Sequence, residues 1–479
     1  MRFLDKLKDR LIRRQYASIS RHLRRASADQ IAAEGERRAL KAFHRAAATV
    51  PAYGRLLRKH GLDPTAVKTI EDFKNKVPIV DKETIFADNE LRDICANGRL
   101  DKSALFYSSS GHSGVFSFGI ETRSKARHIA MATEFALDSI FHVLDRRTLL
   151  VNCLPMGVKM HTRTIALAET SVRPDVICAL VKKLRGDFEQ FLFVGEQLFL
   201  KKVLEEGAEQ GVPWGDITVH IITGAEYVAE NFRDYLASLL GIDFDRPEKG
   251  IIGVNFGLSE LSLSILNENL QTLKLRRLAR QDVEFHRAIY GRDTTICPNI
   301  MQYNPYQNYL ETVPGPDGEN HLVVSMLDPL LPIPLIRYNT KDCVELGSYA
   351  KLAEIVRSAG HEPLLPPFRL PFGIVWGKRQ GLTTGDGHVI GPEHVKEAIY
   401  ADFDVAGALT GNFRLERADG GVRLLLQMRK GQPPTDQICK TVAEKLRQFT
   451  QAQPTISVVA YEEFPYGFEH DFERKCRYV

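Results

Sequence analysis

Phe106-Tyr107-Ser108-Ser109-Ser110-Gly111-His112-Ser113-Gly114 runs a short apolar strand into a loop of hydroxyls and glycines. Such a loop suits a phosphate. Glycines let backbone N–H groups turn inward, hydroxyls add donors, and no bulky side chain bars a polyanion. No Gly-Lys-Ser/Thr follows, so this is not a Walker loop. Taken alone, the stretch also reads as an ordinary surface loop.

Beyond it, apolar runs at Leu149–Leu154, Val219–Thr223 and Gly250–Phe256 alternate with amphipathic stretches at Arg123–Phe141, Glu196–Gln210 and Ala229–Leu240. That alternation predicts α/β layers with parallel strands. Before it, a helix is expected from about Glu34 to Thr49, ended by Pro51, and Thr69-Ile70-Glu71-Asp72 has the form of a capping box ahead of another helix. Within Met1–Arg25, Phe3, Leu4, Leu7, Leu11 and Ile12 share one helical face and the basic residues lie largely elsewhere. Such a helix could lie on an anionic membrane, but Asp5 and Asp9 interrupt the charge run and favour a helix docked on the body. After Pro371 the texture changes to α+β: strands expected at Val405–Leu409, Phe413–Arg417, Val422–Met428 and Ile456–Ala460 enclose helices at Gly391–Tyr400 and Thr435–Phe449. Gly373–Gly381 has the composition of a hinge.

The chain has 479 residues, 44% hydrophobic and 26% charged, enough for a large core and unlike collagen or a disordered chain. Lys+Arg 64 against Asp+Glu 60 leaves a net charge of +4, too small to coat nucleic acid, so a small-molecule partner is expected. Cysteines at Cys95, Cys153, Cys178, Cys297, Cys343, Cys439 and Cys476 form no C-x-x-C pair, which argues against a disulfide framework and a zinc ribbon and for a reducing compartment. Without an apolar run of roughly 18 to 20 residues or a signal-like N-terminus, the sequence reads as soluble and cytoplasmic.

Further motifs follow in order: Thr223-Gly224-Ala225-Glu226 after an apolar strand; Asn255-Phe256-Gly257-Leu258-Ser259-Glu260; Arg337-Tyr338-Asn339-Thr340-Lys341-Asp342; Gly377-Lys378-Arg379-Gln380; and Phe472-Glu473-Arg474-Lys475-Cys476-Arg477-Tyr478-Val479 at the end. A strand ending in an aromatic and a glycine offers a flat face to a base, and the carboxylate beyond it suits a metal. Together with Ala42–Ala46, Val50–Tyr53 and Val77–Lys82, this ordered set resembles the adenylate-forming, acyl-activating superfamily, in particular its phenylacetate–CoA ligase-like branch.

The resemblance implies a large layered α/β N-terminal domain over residues 1–376 and a small mobile α+β lid over 377–479. It implies that Ser108, Ser109, Ser110, Gly111, His112, Ser113 and Gly114 hold the phosphates of ATP, with His112 in place of a threonine and Val115-Phe116 in place of Lys-Pro. Gly224, Ala225 and Glu226 would line the adenine and acyl site, Asn255, Phe256 and Gly257 would lie at adenine, Ser259 would reach phosphate, and Glu260 would hold Mg²⁺. Asp342 would accept both ribose hydroxyls, a task for two carboxylate oxygens. Arg379 would stand near the ribose and the domain junction. Lys475 would bridge the acid's carboxylate and the α-phosphate, where a cation stabilises the approach of two anions. Lys341 replaces a glycine, and a positive φ there would strain it. His161 and Trp214 are candidates for an acyl pocket or for packed roles.

The expected activity is ATP-dependent activation of an aryl or fatty carboxylic acid to an acyl-adenylate, then transfer to a thiol, with coenzyme A as the expected acceptor. ATP, Mg²⁺ and coenzyme A are the implied cofactors. Transfer to a carrier protein or an amine is the alternative, and a non-catalytic nucleotide-binding homologue is the alternative of another class. No nucleic-acid or membrane contact is expected, and a homodimer is left open.

Overall fold

The computed structural model describes residues 3–100, 105–108, 116–155, 158–224, 227–378, 380–418, 421–465, 472 and 478–479. Helix α1 (Phe3–Arg25) is docked as expected: Ile12, Tyr16 and Leu23 are buried, Arg13 pairs with Asp145 at 2.5 Å, and the Tyr16 hydroxyl donates to Glu134 at 3.0 Å. Leu11, expected on the buried face, is exposed. Helix α2 (Ala28–Thr49) begins earlier than expected, at a capping box between Ser27 and Gln30, and Pro51 opens α3 (Pro51–Lys59). The capping box of Thr69 and Asp72 starts α4 (Ile70–Lys76), as the sequence predicts.

Strands β1 (Leu105–Ser108) and β2 (Phe118–Glu121) pair antiparallel with Ser108 opposite Phe118, so the serine-glycine run joins two paired strands. After them come α5 (Arg123–Phe141), β3 (Thr148–Cys153), β4 (Ala166–Glu169), α6 (Pro174–Leu184), β5 (Gln190–Glu196), α7 (Gln197–Glu209), β6 (Val219–Gly224), α8 (Glu230–Leu240) and β7 (Ile252–Leu258). Strands β4-β3-β5-β6-β7 lie parallel in that order. The central strands β3 and β5 are buried on both faces, while β4 is a partly exposed edge. Leu150, Leu192 and Val194 share a cluster with Leu137 and Phe141 of α5, while Val151, Phe191 and Phe193 share one with Phe199 and Val203 of α7.

The expectation of parallel strands stops at β7. Next come β8 (Ser262–Asn267), α9 (Leu270–Gln281), α10 (Val283–Tyr290), β9 (Asn299–Tyr303), β10 (Asn308–Pro314), β11 (Asn320–Met326), β12 (Tyr338–Gly347), α11 (Tyr349–Ser358) and β13 (Phe372–Gly377). These strands extend the same sheet antiparallel, in the order β10-β11-β12-β13-β9-β8-β7, to eleven strands. Residues 373–377, expected to pivot, are therefore sheet, held between β12 and β9.

Strands β14 (Leu382–Thr383) and β15 (Val389–Ile390) lead into α12 (Pro392–Tyr400), α13 (Phe403–Ala408), β16 (Leu409–Ala418), β17 (Gly421–Met428), α14 (Asp436–Leu446) and β18 (Thr455–Val459), with β16-β17-β18 forming a separate sheet. The strand expected at Val405–Leu409 is α13 instead. The Asp402 carboxylate accepts the N–H groups of Asp404 and Val405, each at 3.1 Å, and this cap commits a short apolar run to a helix. The C-terminal segment is fastened to α7 and α8 by buried contacts. The Glu397 carboxylate accepts the Tyr227 hydroxyl at 2.8 Å and the N–H groups of Glu230 and Asn231 at 3.0 and 3.1 Å, capping α8 from outside its own chain segment. Lys201 pairs with Glu205 at 2.7 Å and donates to the Leu409 carbonyl at 2.8 Å. Among the described residues, no helix is long and apolar enough to cross a membrane.

Candidate active site

The β7–β8 hairpin places Asn255 opposite Asn267 and Phe256 opposite Leu266, and the Leu261 N–H donates to the Leu258 carbonyl at 3.1 Å to close its tip. Ser259 and Glu260 occupy that tip. Glu260 is buried, and three hydroxyls converge on its carboxylate: Ser117 and Ser259 each donate to Oε2 at 3.1 Å, and Tyr338 donates to Oε1 at 2.8 Å. Ser117 immediately precedes β2, the strand into which the serine-glycine run leads, and Tyr338 opens β12. Burial, and then the Glu260 charge, push the Tyr338 phenol well above its usual range, so it stays protonated as a donor. A carboxylate flanked by serine hydroxyls is a set of hard oxygen donors, which fits Mg²⁺ and not a thiophilic metal.

Strand β12 carries the next motif on a bulge. On β11 the step from His321 to Val323 is two residues, while on β12 the matching step from Asn339 to Cys343 is four. Thr340, Lys341 and Asp342 thus bulge from the ladder, a device that re-aims side chains. Lys341 has φ 61°, so the strain that a positive φ imposes on a lysine standing in place of a glycine is present. Its ammonium pairs with Asp81 at 3.1 Å and Glu83 at 2.9 Å, tying the strained turn to the N-terminal segment. Asp342 is buried, and its N–H donates to the Thr340 hydroxyl at 3.1 Å. Arg337 has a structural part: it pairs with Glu311 at 2.5 Å, donates to the Val77 carbonyl and lies over the Phe73 ring.

Gly224 ends β6 opposite Asn255, and a Cβ there would lie 2.1 Å from the Asn255 carbonyl oxygen, so only glycine lets the two strand ends approach. The Asn255 amide donates to Asn267 at 2.7 Å, Phe256 is half-buried against the main core, and Gly257 lies within β7. Ser108 is exposed at the end of β1. Ser109, Ser110, Gly111, His112, Ser113, Gly114, Ala225, Glu226, Arg379 and Lys475 lie outside the described residues. On either side of Lys475, Phe472 packs against Phe199 at 5.2 Å and Tyr478 stacks on Phe413 at 4.3 Å. The sequence gives Ser117 no motif, and it carries Tyr338 within the Arg337–Asp342 motif without a role of its own. The place of Tyr338 between Arg337 and Asp342 was an available signal; Ser117 offered none.

Of the two pocket candidates, Trp214 is packed, with its indole N–H donating to the Leu204 carbonyl at 2.9 Å. His161 instead meets the buried Glu121 carboxylate at 2.6 Å, at the end of β2. That contact raises the imidazole above its usual pKa of 6.5, against the opposing effect of burial. The stability it contributes is complete below pH 6.5 and is lost as pH rises through the folded value. By NMR titration, His161 is expected to protonate above pH 6.5 in the native chain and at a lower pH in Glu121→Gln, where only the charge of Glu169 still opposes burial.

No protein-family model matches the chain, and no curated protein matches it in sequence. Solved structures do. The chain is similar to 2-hydroxyisobutyryl-CoA ligase in the postadenylation state with R3-HIB-AMP, at TM-score 0.65 and 14% identity over 95% of this chain and 90% of that one. The open conformation of that ligase with 2-HIB-AMP and CoA gives TM-score 0.56 and 14% identity over 95% and 92% of the two chains. Its postadenylation state with 2-HIB-AMP gives 0.63 and 14% identity over 92% and 88%. The chain therefore has the fold of these ligases over nearly its whole length, a large α/β sheet unit followed by a smaller α+β unit.

Proposed function

We propose that the chain is an adenylate-forming acid–thiol ligase that activates an aryl or aliphatic carboxylic acid with ATP and passes the acyl group to coenzyme A. One observation carries the reading: three segments far apart in sequence, at Ser117, at Ser259-Glu260 and at Tyr338, meet on the buried carboxylate of Glu260. The ligase-like fold and the order of the motifs support it.

In this reading the acid's carboxylate attacks the α-phosphorus of ATP, giving an acyl-adenylate and pyrophosphate. The thiol then attacks the acyl carbonyl and AMP leaves, carrying the oxygen that a free carboxylate would not release. Residues 108–114 would bind the phosphates, Asp342 would accept from the ribose hydroxyls, and Lys475 would supply a cation to the two anions that must meet. Mg²⁺, held by Glu260 with Ser259 beside it, would neutralise charge on the phosphates. Tyr338 and Ser117 hold the Glu260 carboxylate in one orientation. Any turning of residues 377–479 between the two half-reactions must first release Glu397 from the start of α8.

The test incubates the full chain with ATP, Mg²⁺, coenzyme A and a panel of aromatic, hydroxylated and medium-chain acids, and counts AMP against thioester by mass spectrometry. Equal yields of AMP and an acyl-CoA are expected with at least one acid class. AMP formed only when a carrier protein or amine is supplied would replace coenzyme A as acceptor. Mg·ATP binding without AMP from any acid would overturn the catalytic reading.

A further inference from the structure

Away from Glu260, the hairpin between β10 and β11 brings a second set of side chains together. His321 Nε2 lies 3.0 and 3.1 Å from the two carboxylate oxygens of Asp317, and Cys343 Sγ lies 4.0 Å from Asp317 Oδ2. The three ligand atoms fall within 4.8 Å of one another, and no other group of three or more such residues does so among the described residues. The backbone is shaped for this meeting. His321 and Cys343 are directly opposed on β11 and β12. Asp317 sits in a turn closed by the Gly315 N–H to the Glu319 carbonyl at 2.7 Å and by the Glu319 N–H to Asp317 Oδ1 at 3.1 Å. Gly315 is required there, since a Cβ would lie 2.3 Å from His321 Nε2.

We propose that Asp317, His321 and Cys343 form a zinc site, with water completing the coordination. One nitrogen, one sulfur and one carboxylate oxygen are a zinc donor set, softer than Mg²⁺ or Ca²⁺ accepts. Tetrahedral zinc with bonds of about 2.0 Å to N and O and about 2.3 Å to S spaces its ligand atoms about 3.3–3.6 Å apart. The 3.0 and 4.0 Å separations bracket that spacing and the His321–Cys343 separation is within 4.8 Å, so side-chain shifts of about 1 Å seat the ion. His321 and Cys343 are buried while the Asp317 side chain is 42% exposed, which leaves an entry path and room for the water. Binding displaces the Cys343 thiol proton to solvent and joins thiolate, imidazole and carboxylate to the metal. The site staples the hairpin to β12, one residue beyond Asp342 and directly across from Gly377, the last residue of β13. It stands independently of the ligase reading.

The experiment uses the full chain freed of metal by chelation. Zinc affinity is measured by competition with a chromophoric chelator, and Co²⁺ replaces zinc as a spectroscopic probe. One zinc per chain, a thiolate-to-cobalt charge-transfer band and a rise in melting temperature with zinc are expected. Cys343→Ser should abolish the band, and both it and Asp317→Ala should weaken zinc at least tenfold. Asp317 is exposed, so its variant keeps the fold, as metal-free melting will verify. Failure of the wild-type chain to bind zinc at micromolar concentration overturns the site. So does a cobalt–thiolate band that survives in Cys343→Ser, because the metal would then sit on another cysteine.

Discussion

Glu260→Gln is expected to lower acid-dependent exchange of pyrophosphate into ATP by about 10²–10³-fold, the loss typical of removing one preorganised electrostatic contact from a reacting phosphate or oxyanion, or about 2.7–4 kcal/mol. Glutamine is chosen because it keeps the shape of the side chain and removes the charge, its amide oxygen still accepting either from Ser117 and Ser259 or from Tyr338. The fold should then survive, and the melting temperature of the variant separates lost charge from lost structure. Unchanged exchange at an unchanged melting temperature would remove Glu260 from the chemistry and leave it a buried knot between three segments. Tyr338→Phe should have a smaller effect of the same sign, since it frees one lone pair and lets the carboxylate rotate without altering its charge.

Arg233→Ala is expected to destabilise the chain by roughly 3–5 kcal/mol, the loss seen when one partner of a buried ion pair is removed and the other remains. Arg233 is fully buried and grips Glu268 with two bonds of 2.7 and 3.0 Å, while its Nε donates to Glu230 at 3.0 Å. Burial would raise the Glu230 carboxyl, but Arg233 and Arg276 outweigh it and hold the group below its usual range. Once Arg233 is gone, Arg276 still reaches Glu230 at 2.9 Å, but the buried Glu268 loses its bidentate partner. Urea unfolding at pH 7 measures the deficit, and a loss below about 1 kcal/mol, the range of an exposed ion pair, would contradict the charge argument. The cost reaches the site because Glu268 Oε2 also accepts the Val254 N–H at 3.1 Å, pinning the root of the hairpin whose tip carries Ser259 and Glu260.

Much of the parallel half of the sheet was legible because its strands are continuous apolar runs and its helices keep a 3.6-residue period. The helix at Arg123–Phe141 is observed with those bounds. The antiparallel half was not legible. Strand β12 interrupts its own pattern with Lys341 and Asp342 on a bulge, and polar bulge residues read locally as a turn. At α13, an apolar run shorter than two helical turns read as a strand, and the cap at Asp402 decided otherwise. The site divided in the same way. The strain at Lys341 followed from one residue exchange and was foreseeable, since positive φ is a local property. The bonds from Ser117 and Tyr338 to Glu260 span 143 and 78 positions, and no local pattern encodes a contact made only by folding a sheet around it.

In the proposed reaction the carboxylate of an acid is joined to the α-phosphate of ATP at the place where these segments meet. Exchange of labelled pyrophosphate into ATP by the wild-type chain, with and without each acid of the panel, tests it most directly. Exchange is expected to require Mg²⁺ and at least one acid and to collapse in Glu260→Gln. No acid-dependent exchange from a folded chain that binds Mg·ATP would contradict it.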